Sequence, residues 1–354
     1  MNNKYACIMA GGKGERFWPE SRESRPKQLL NLFSDKSLIE MTVARIRQFI
    51  PLENIFIITN ESYVEKIHSL LPAIPAENII GEPARRDTAP CVALAAGMVA
   101  AQNPDAVMTL LPADHMIVDH NAFEKDLMLA FENAADHLYT LGIAPAFPSS
   151  DYGYIEAECK EKITPVVRFV EKPERSKAEA MLAKGNFYWN SGIFVWKVKT
   201  ILNAFQKYMP ELAVFAEKTA QVWSQPDFKN FLNNEFPKLP KISIDYAVME
   251  KSSNIKVIKA SFDWNDVGNW HALRAYLEPD PAGNIAKGEV HLLNSRNNIV
   301  FCNNQKLLIA GIDLEDMLIV HTDDAVLVCP NSSVAKLKGL LQEIGEQKKF
   351  ENYL

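Results

Sequence analysis

Apolar positions along the first two-thirds of the chain fall in short blocks. Largely apolar runs at residues 6–9, 54–59, 78–81 and 106–111 are bounded by polar, Gly or Pro positions. Such runs predict strands buried on both faces. Between them the apolar spacing changes to three and four. Ser37-Leu38-Ile39-Glu40 has the form of a capping box, and Ile39, Val43, Ile46 and Ile50 continue one helical face. Asp87-Thr88-Ala89-Pro90 supplies an N-cap aspartate and a proline tolerated in a first turn. The alanine-rich stretch that follows, to Ala101, suits close packing on a sheet. Strands alternating with helices predict an α/β fold, Rossmann-like, with a mixed, mainly parallel sheet.

The pattern changes at Pro279-Asp280-Pro281-Ala282-Gly283, which predicts a boundary between a domain over 1–282 and a smaller one over 283–354. Beyond it, apolar runs at 289–293, 299–302, 307–312, 317–321 and 325–329 follow one another with no helix between. They predict a small β-rich piece, a short β-helix-like solenoid or a sandwich. Val334, Leu337, Leu340, Leu341 and Ile344 then share one face of a closing helix. That helix either caps the main domain or supplies a dimer contact.

Composition narrows the class. Apolar residues make up 47% of the 354 positions, ample for a core, and the net charge is −6. No Lys/Arg run stands ready for a phosphate backbone, so a nucleic-acid binder is not expected. No apolar run has the length of a membrane span, and the first residues lack the apolar core of a secretion signal, so a cytoplasmic protein is expected. The five cysteines form no C-x-x-C pair, which fits reduced, mostly buried thiols. The histidines show no zinc-like spacing.

The chemistry begins at the first strand. It runs into Gly11-Gly12-Lys13-Gly14-Glu15-Arg16, and Pro26-Lys27-Gln28 follows. Glycines after a strand let backbone N–H groups come close to an anion, and Arg16 and Lys27 add fixed positive charge. Glu15 after Gly14 rules out a Walker A loop, and Phe17 stands where a dinucleotide fingerprint needs its third glycine. Asp114, just past the end of a buried strand, is a candidate ligand for a magnesium ion. Asp266, in Trp264-Asn265-Asp266-Val267-Gly268-Asn269-Trp270, is a second. The tryptophans around it either wall a site or pack the core.

The pattern G-G-x-G-x-R…P-K resembles the sugar-nucleotide pyrophosphorylases. Gly81-Glu82-Pro83 with Arg86-Asp87-Thr88-Ala89-Pro90 is similar to the base-recognition segment of their guanylyltransferase branch. Asp151-Tyr152-Gly153-Tyr154, Phe169-Val170-Glu171-Lys172-Pro173, Trp189-Asn190-Ser191-Gly192 and Ser243-Ile244-Asp245-Tyr246 resemble its sugar-phosphate segments, in the same order. The resemblance runs from about Tyr5 to Trp270 and implies a GT-A-like nucleotidyltransferase domain. It implies GTP and mannose 1-phosphate as substrates, GDP-mannose and pyrophosphate as products, and Mg²⁺ as cofactor; a homodimer is expected. Arg16, Lys27 and Lys172 are then the catalytic cations. Ala10, Gly11, Gly12, Gly14, Glu82, Arg86, Thr88, Pro112 and Asp114 hold the nucleotide. Gly153, Glu171, Asn190 and Asp245 hold the sugar, and Asp114 and Asp266 the metal. Physically, a carboxylate at Glu82 suits the N1–H and N2–H₂ donors of guanine, and Glu171 and Asn190 can each bridge vicinal hydroxyls. His291 and His321 form no cupin-like cluster, so one activity is expected. The alternatives are a relative that uses dTTP or UTP with glucose 1-phosphate, and a silent GDP-mannose-binding regulator.

Overall fold

A computed structural model describes residues 3–159, 161–304 and 306–354. Its contacts group them into two compact units. One takes residues up to Gly11, then Val43–Ala113 and Ile117–Trp264; the other takes Gly12–Thr42, Asp114–Met116 and Asn265–Leu354.

The first unit is built on a nine-stranded mixed sheet. The four apolar runs become β1 (Lys4–Ala10), β2 (Ile55–Asn60), β3 (Ile79–Glu82) and β4 (Val107–Pro112). They pair in parallel in the order β3-β2-β1-β4, as continuous apolar strands between helices should. The second half adds β5 (Leu138–Ile143), β6 (Tyr154–Ala157), β7 (Ile163–Val170), β8 (Phe187–Lys197) and β9 (Ile255–Lys259). Here only β5–β9 is parallel. The long β8 runs antiparallel to β4, β5 and β6, and β7 runs antiparallel to β6 and β9. Strands β8, β5, β9, β7 and β6 thereby close a ring, since β6 returns to pair with β8.

The helix Thr88–Gln102 is apolar on all sides from Ala89 to Val99 because that stretch is buried on all sides. Gly97 permits this: a Cβ there would stand 2.5 Å from the Ala216 carbonyl and 2.6 Å from Thr219 Cβ on the helix Pro210–Val222. Asp87 occupies the expected N-cap position, but with φ 58° and no side-chain bond to the helix. Its contribution is therefore the backbone turn and not a capping oxygen. The capping-box glutamate does act, as Glu40 Oε2 accepts from Ser37 N at 2.8 Å and from Ser37 Oγ at 2.6 Å. Helix Leu38–Ile46 stops before Ile50, which is buried beyond its end.

The C-terminal strands of the second unit are β10 (Ile285–Lys287), β11 (Glu289–Leu293), β12 (Ile299–Cys302), β13 (Leu308–Ile312), β14 (Met317–His321) and β15 (Val326–Pro330). Strands β10, β12 and β14 stack in parallel with β15 closing antiparallel, while β11 and β13 pair in parallel. This is the short β-helix-like piece. Side-chain bonds between coils recur at a separation of 19 residues: Asn294–Asp313, Arg296–Glu315 and Asn304–Asp323. Inside, fully buried Asn298 donates to Asn284 Oδ1 and the Leu314 carbonyl and accepts from Met317 N. A buried amide of this kind holds register only because its groups are satisfied. Leu337–Gly345 is the closing helix. Among the described residues no helix is long and apolar enough to cross a membrane.

Candidate active site

In the second unit the Gly-rich turn is fixed by its own geometry. Gly14 lies in the left-handed region at φ +70°, and a Cβ there would fall 2.3 Å from Lys27 Cβ and 2.8 Å from Lys27 N. Only glycine lets the turn lie against Lys27. Gly12 faces open space. Arg16 is exposed on the following turn, Glu15–Phe17, whose Phe17 packs its ring 5.2 Å from the buried Trp270.

Lys27 is 7% exposed, and its ammonium is the centre of the cluster in this unit. Nζ stands 2.9 Å from Asp114 Oδ2 and donates to the Asp266 main-chain carbonyl at 2.5 Å. An isolated antiparallel bridge between Met116 and Asn265 holds the two acidic segments together, with N···O distances of 2.9 and 3.1 Å. The two candidate metal residues, far apart in sequence, are thus joined by a bridge two residues from one and one from the other. Burial works against the Asp114 charge. Lys27 and His115 outweigh it and hold the carboxyl below its ordinary range. Val267, next to Asp266, is β-branched yet sits at φ 49°, a strained conformation of the kind that collects at functional sites. Trp270 is core, packed on Phe17 and Phe301.

The donor set fits a hard dication. Asp114 and Asp266 each carry a carboxylate, the donor type such an ion takes, and no group of three or more His, Cys, Asp or Glu assembles among the described residues. Two carboxylates with the remaining positions left to phosphate and water is the usual arrangement for magnesium.

In the first unit Glu82 ends β3 and is 9% exposed. Its Oε1 has no hydrogen-bond partner among the described residues, and a Cβ on Gly11 would stand 3.7 Å from Oε2. Burial pushes its pKa up to about 8; a hydrogen bond with Cys91 opposes this and the charge of Asp87 adds to it. Cys91 in turn bonds Cys7 on β1. This thiol contact is invisible in the sequence, because an apolar helix position gives no sign of which strand residue it faces. Ala10 and Pro112 close β1 and β4, and the Ala10 carbonyl accepts from Thr59 Oγ1 at 2.9 Å. Arg86 donates to the Pro237 carbonyl, and Thr88 Oγ1 accepts from Ile244 N at 2.8 Å. These two side chains tie down the segment that leads to Asp245.

The sugar-segment residues meet in the same unit. Asn190 Nδ2 donates to Asp245 Oδ1 at 2.9 Å, and the Gly153 carbonyl accepts from Asn190 N at 2.8 Å. A Cβ on Gly153 would fall 2.5 Å from Glu171 Oε2. Asp245 opens a π-helical turn, Asp245–Met249. Burial, then the neighbouring Glu171, push its carboxyl up to about 6, against the Asn190 bond and Lys172. Lys172 pairs with Glu171 Oε1 at 3.1 Å and sits at φ 43°, a second strained residue in a site segment.

A doubly wound sheet with a glycine-rich turn after its first strand, a lysine between two acidic segments and a carboxyl–amide cluster defines a nucleotidyltransferase. Residues 5–280 match the Nucleotidyl transferase profile, and the chain belongs to that family. Residues 288–344 match the MannoseP isomerase/GMP-like beta-helix domain. Within the family, the chain is 37% identical to a mannose-1-phosphate guanylyltransferase of Klebsiella pneumoniae, over 97% of this chain and 74% of that protein. It is 35% identical to the alginate biosynthesis protein AlgA of Pseudomonas aeruginosa, over 97% of this chain and 73% of that protein. A structure from Thermus thermophilus, described as a mannose-1-phosphate geranyltransferase, superposes with a TM-score of 0.86 at 31% identity. It covers 97% of this chain and 99% of that one.

Proposed function

We propose that this chain makes GDP-mannose and pyrophosphate from GTP and α-D-mannose 1-phosphate. The observation that carries the chemistry is Lys27, whose ammonium spans the Asp114 carboxylate and the Asp266 carbonyl beside the Gly14 turn. The likeness to mannose-1-phosphate guanylyltransferases supports the choice of base and sugar.

A phosphate oxygen of mannose 1-phosphate forms the new bond to the α-phosphorus of GTP. The bond from that phosphorus to the bridging oxygen breaks in line, and pyrophosphate leaves with the electron pair. The nucleophile is already an anion near neutral pH, so no side chain need act as base; catalysis is positioning and charge neutralisation. Lys27 neutralises the α-phosphate, Arg16 and the amides of Gly11, Gly12 and Gly14 take charge that grows on pyrophosphate, and Lys172 holds the sugar phosphate. Glu82 reads guanine, with Ala10, Arg86, Thr88 and Pro112 shaping the nucleotide's surroundings. Gly153, Glu171, Asn190 and Asp245 take the sugar hydroxyls. Nucleotidyl transferases work with a divalent cation. Asp114 and Asp266 are the residues that would hold Mg²⁺, which when bound supplies charge neutralisation to the phosphates.

Two further readings belong here. All five cysteines are free thiols, which supports a cytoplasmic setting. Leu293, Leu308 and Ile312 are exposed on the β11–β13 pair, which supports a homodimer through that face. A monomer in sedimentation would remove the dimer.

The deciding experiment measures pyrophosphate release from GTP, dTTP, UTP and ATP, each with mannose 1-phosphate and with glucose 1-phosphate. GTP with mannose 1-phosphate should be fastest, and EDTA should abolish it. A faster dTTP or UTP reaction with glucose 1-phosphate would overturn the assigned substrates. GDP-mannose binding without turnover would mark a regulator in place of an enzyme.

A further inference from the structure

We propose that a cavity of about 400 Å³ between the Gly-rich turn and the closing helix, both in the second unit, is a second ligand site for a monosaccharide-sized phosphomonoester. It lies within the range of small-molecule pockets. Trp18 and Leu341 form its apolar wall, and Lys13, Ser21, Arg22 and Lys338 line it with polar groups.

Ser21 is the first pointer. It is 3% exposed, and its Oγ has no hydrogen-bond partner among the described residues. Buried hydroxyls are rarely left unpaired, and an oxygen-rich ligand in the cavity would satisfy this one. The cations are the second. Lys338 is exposed and has no ion-pair partner among the described residues. Among the described residues, the ion-pair partner of Lys13 is the exposed Glu23, at 3.3 Å. Arg22 is fixed more firmly, its guanidinium 5.5 Å from the centre of the Trp18 ring and 2.8 Å from Asp324 Oδ1. Glu15 and Glu23 also line the cavity, which disfavours a polyanion. Carboxylates beside cations suit a molecule that carries one phosphate and several hydroxyls.

The site has a route to the reaction. Lys13 and Glu15 flank Gly14, the residue that abuts Lys27. The Trp18 indole N–H donates to the Tyr353 carbonyl at 2.6 Å, and Glu23 N donates to the Leu354 carbonyl at 3.3 Å, so the closing segment is bound to the same turn. An occupant would contact both ends of that arrangement.

The test is calorimetric titration of the full chain with glucose 6-phosphate, in the presence of saturating GDP-mannose so that the sugar-phosphate cluster of the first unit is filled. One equivalent should bind per chain. Lys338→Glu should weaken binding at least tenfold by reversing the free cation, and Leu341→Trp should abolish it by filling the cavity. Both variants should keep wild-type melting and turnover without the probe. No binding to the wild type, or undiminished binding to either folded variant, would overturn the site. GDP-mannose binding is read in a separate titration, so failure of the proposed activity and failure of this site are different results.

Discussion

Lys27 holds its ammonium 2.9 Å from the Asp114 carboxylate, and the same nitrogen reaches the main-chain oxygen of Asp266. One cation thereby ties the two acidic segments together, through the carboxylate of one and the main chain of the other.

Removal of that cation should cost turnover more than binding. For Lys27→Ala we expect kcat to fall on the order of 10²–10³-fold, by analogy with loss of one preorganised donor to a developing charge. The KM for mannose 1-phosphate should change little. The variant should also melt earlier, because Asp114 loses the partner that offsets its burial. Steady-state kinetics and thermal melting check the two parts separately; unchanged kcat would take Lys27 out of the mechanism.

Gly14→Ala should reproduce much of the Lys27 defect without touching Lys27 itself. The new methyl collides with Lys27 Cβ and backbone at a position where φ is +70°. Neither atom is the end of a flexible chain, so the turn must move. A loss of kcat comparable to that of Lys27→Ala is the expected result, read by pyrophosphate release. Wild-type turnover would show that Gly14 is not what sets the lysine.

Glu82 sets a pH dependence whose sign follows from its burial. Its folded pKa of about 8 lies above the ordinary unfolded value of about 4.3. Between those values the folded chain holds a proton that the unfolded chain has released. Stability from this group therefore falls as pH rises through the window and levels off above it. In Glu82→Gln the melting temperature should gain on wild type as pH rises from 5 to 9. The carboxylate is also the form that accepts from guanine, so wild-type affinity for GTP should rise about tenfold per pH unit below that pKa. Glu82→Gln should lose that slope and blur the preference for GTP over ATP. An unchanged preference would move guanine reading to the backbone.

Gly153→Ala tests the sugar cluster gently. Its Cβ would meet the carboxylate end of Glu171 at 2.5 Å, a group able to swing aside. The chain should fold and melt normally while Glu171 leaves its place. The KM for mannose 1-phosphate should rise about tenfold, in line with loss of one or two hydrogen bonds to substrate, with a smaller change in kcat. If KM stays the same, Glu171 does not hold the sugar.

Much of this was legible in the chain itself. The buried runs that became β1 to β4, the coil strands after residue 283 and the glycine-rich turn with its lysine are local patterns, governed by side-chain period and by the freedom of glycine. The residue types of the proposed site follow from the same local reading, because phosphate needs cations and hydroxyls need carboxyls and amides. Asp87 is legible only in part: its position at the helix start is plain, but its positive φ and the lack of a capping bond are not. The tryptophans near Asp266 could be wall or core, and only packing shows that Trp270 is core.

By itself, then, the sequence determined the strands β1 to β4, the coil strands and where the charged residues stand along the chain, since those depend on neighbours in sequence. Tertiary structure alone decided who meets whom. The Met116–Asn265 bridge joins the two acidic segments, and β8 turns half the sheet antiparallel to close a ring. Burial lifts the Glu82 carboxyl, and Asn190 finds Asp245 across a gap of 55 residues. These are products of long-range contact and of desolvation. Both depend on what the fold packs around a group, and neither is written in the residues beside it.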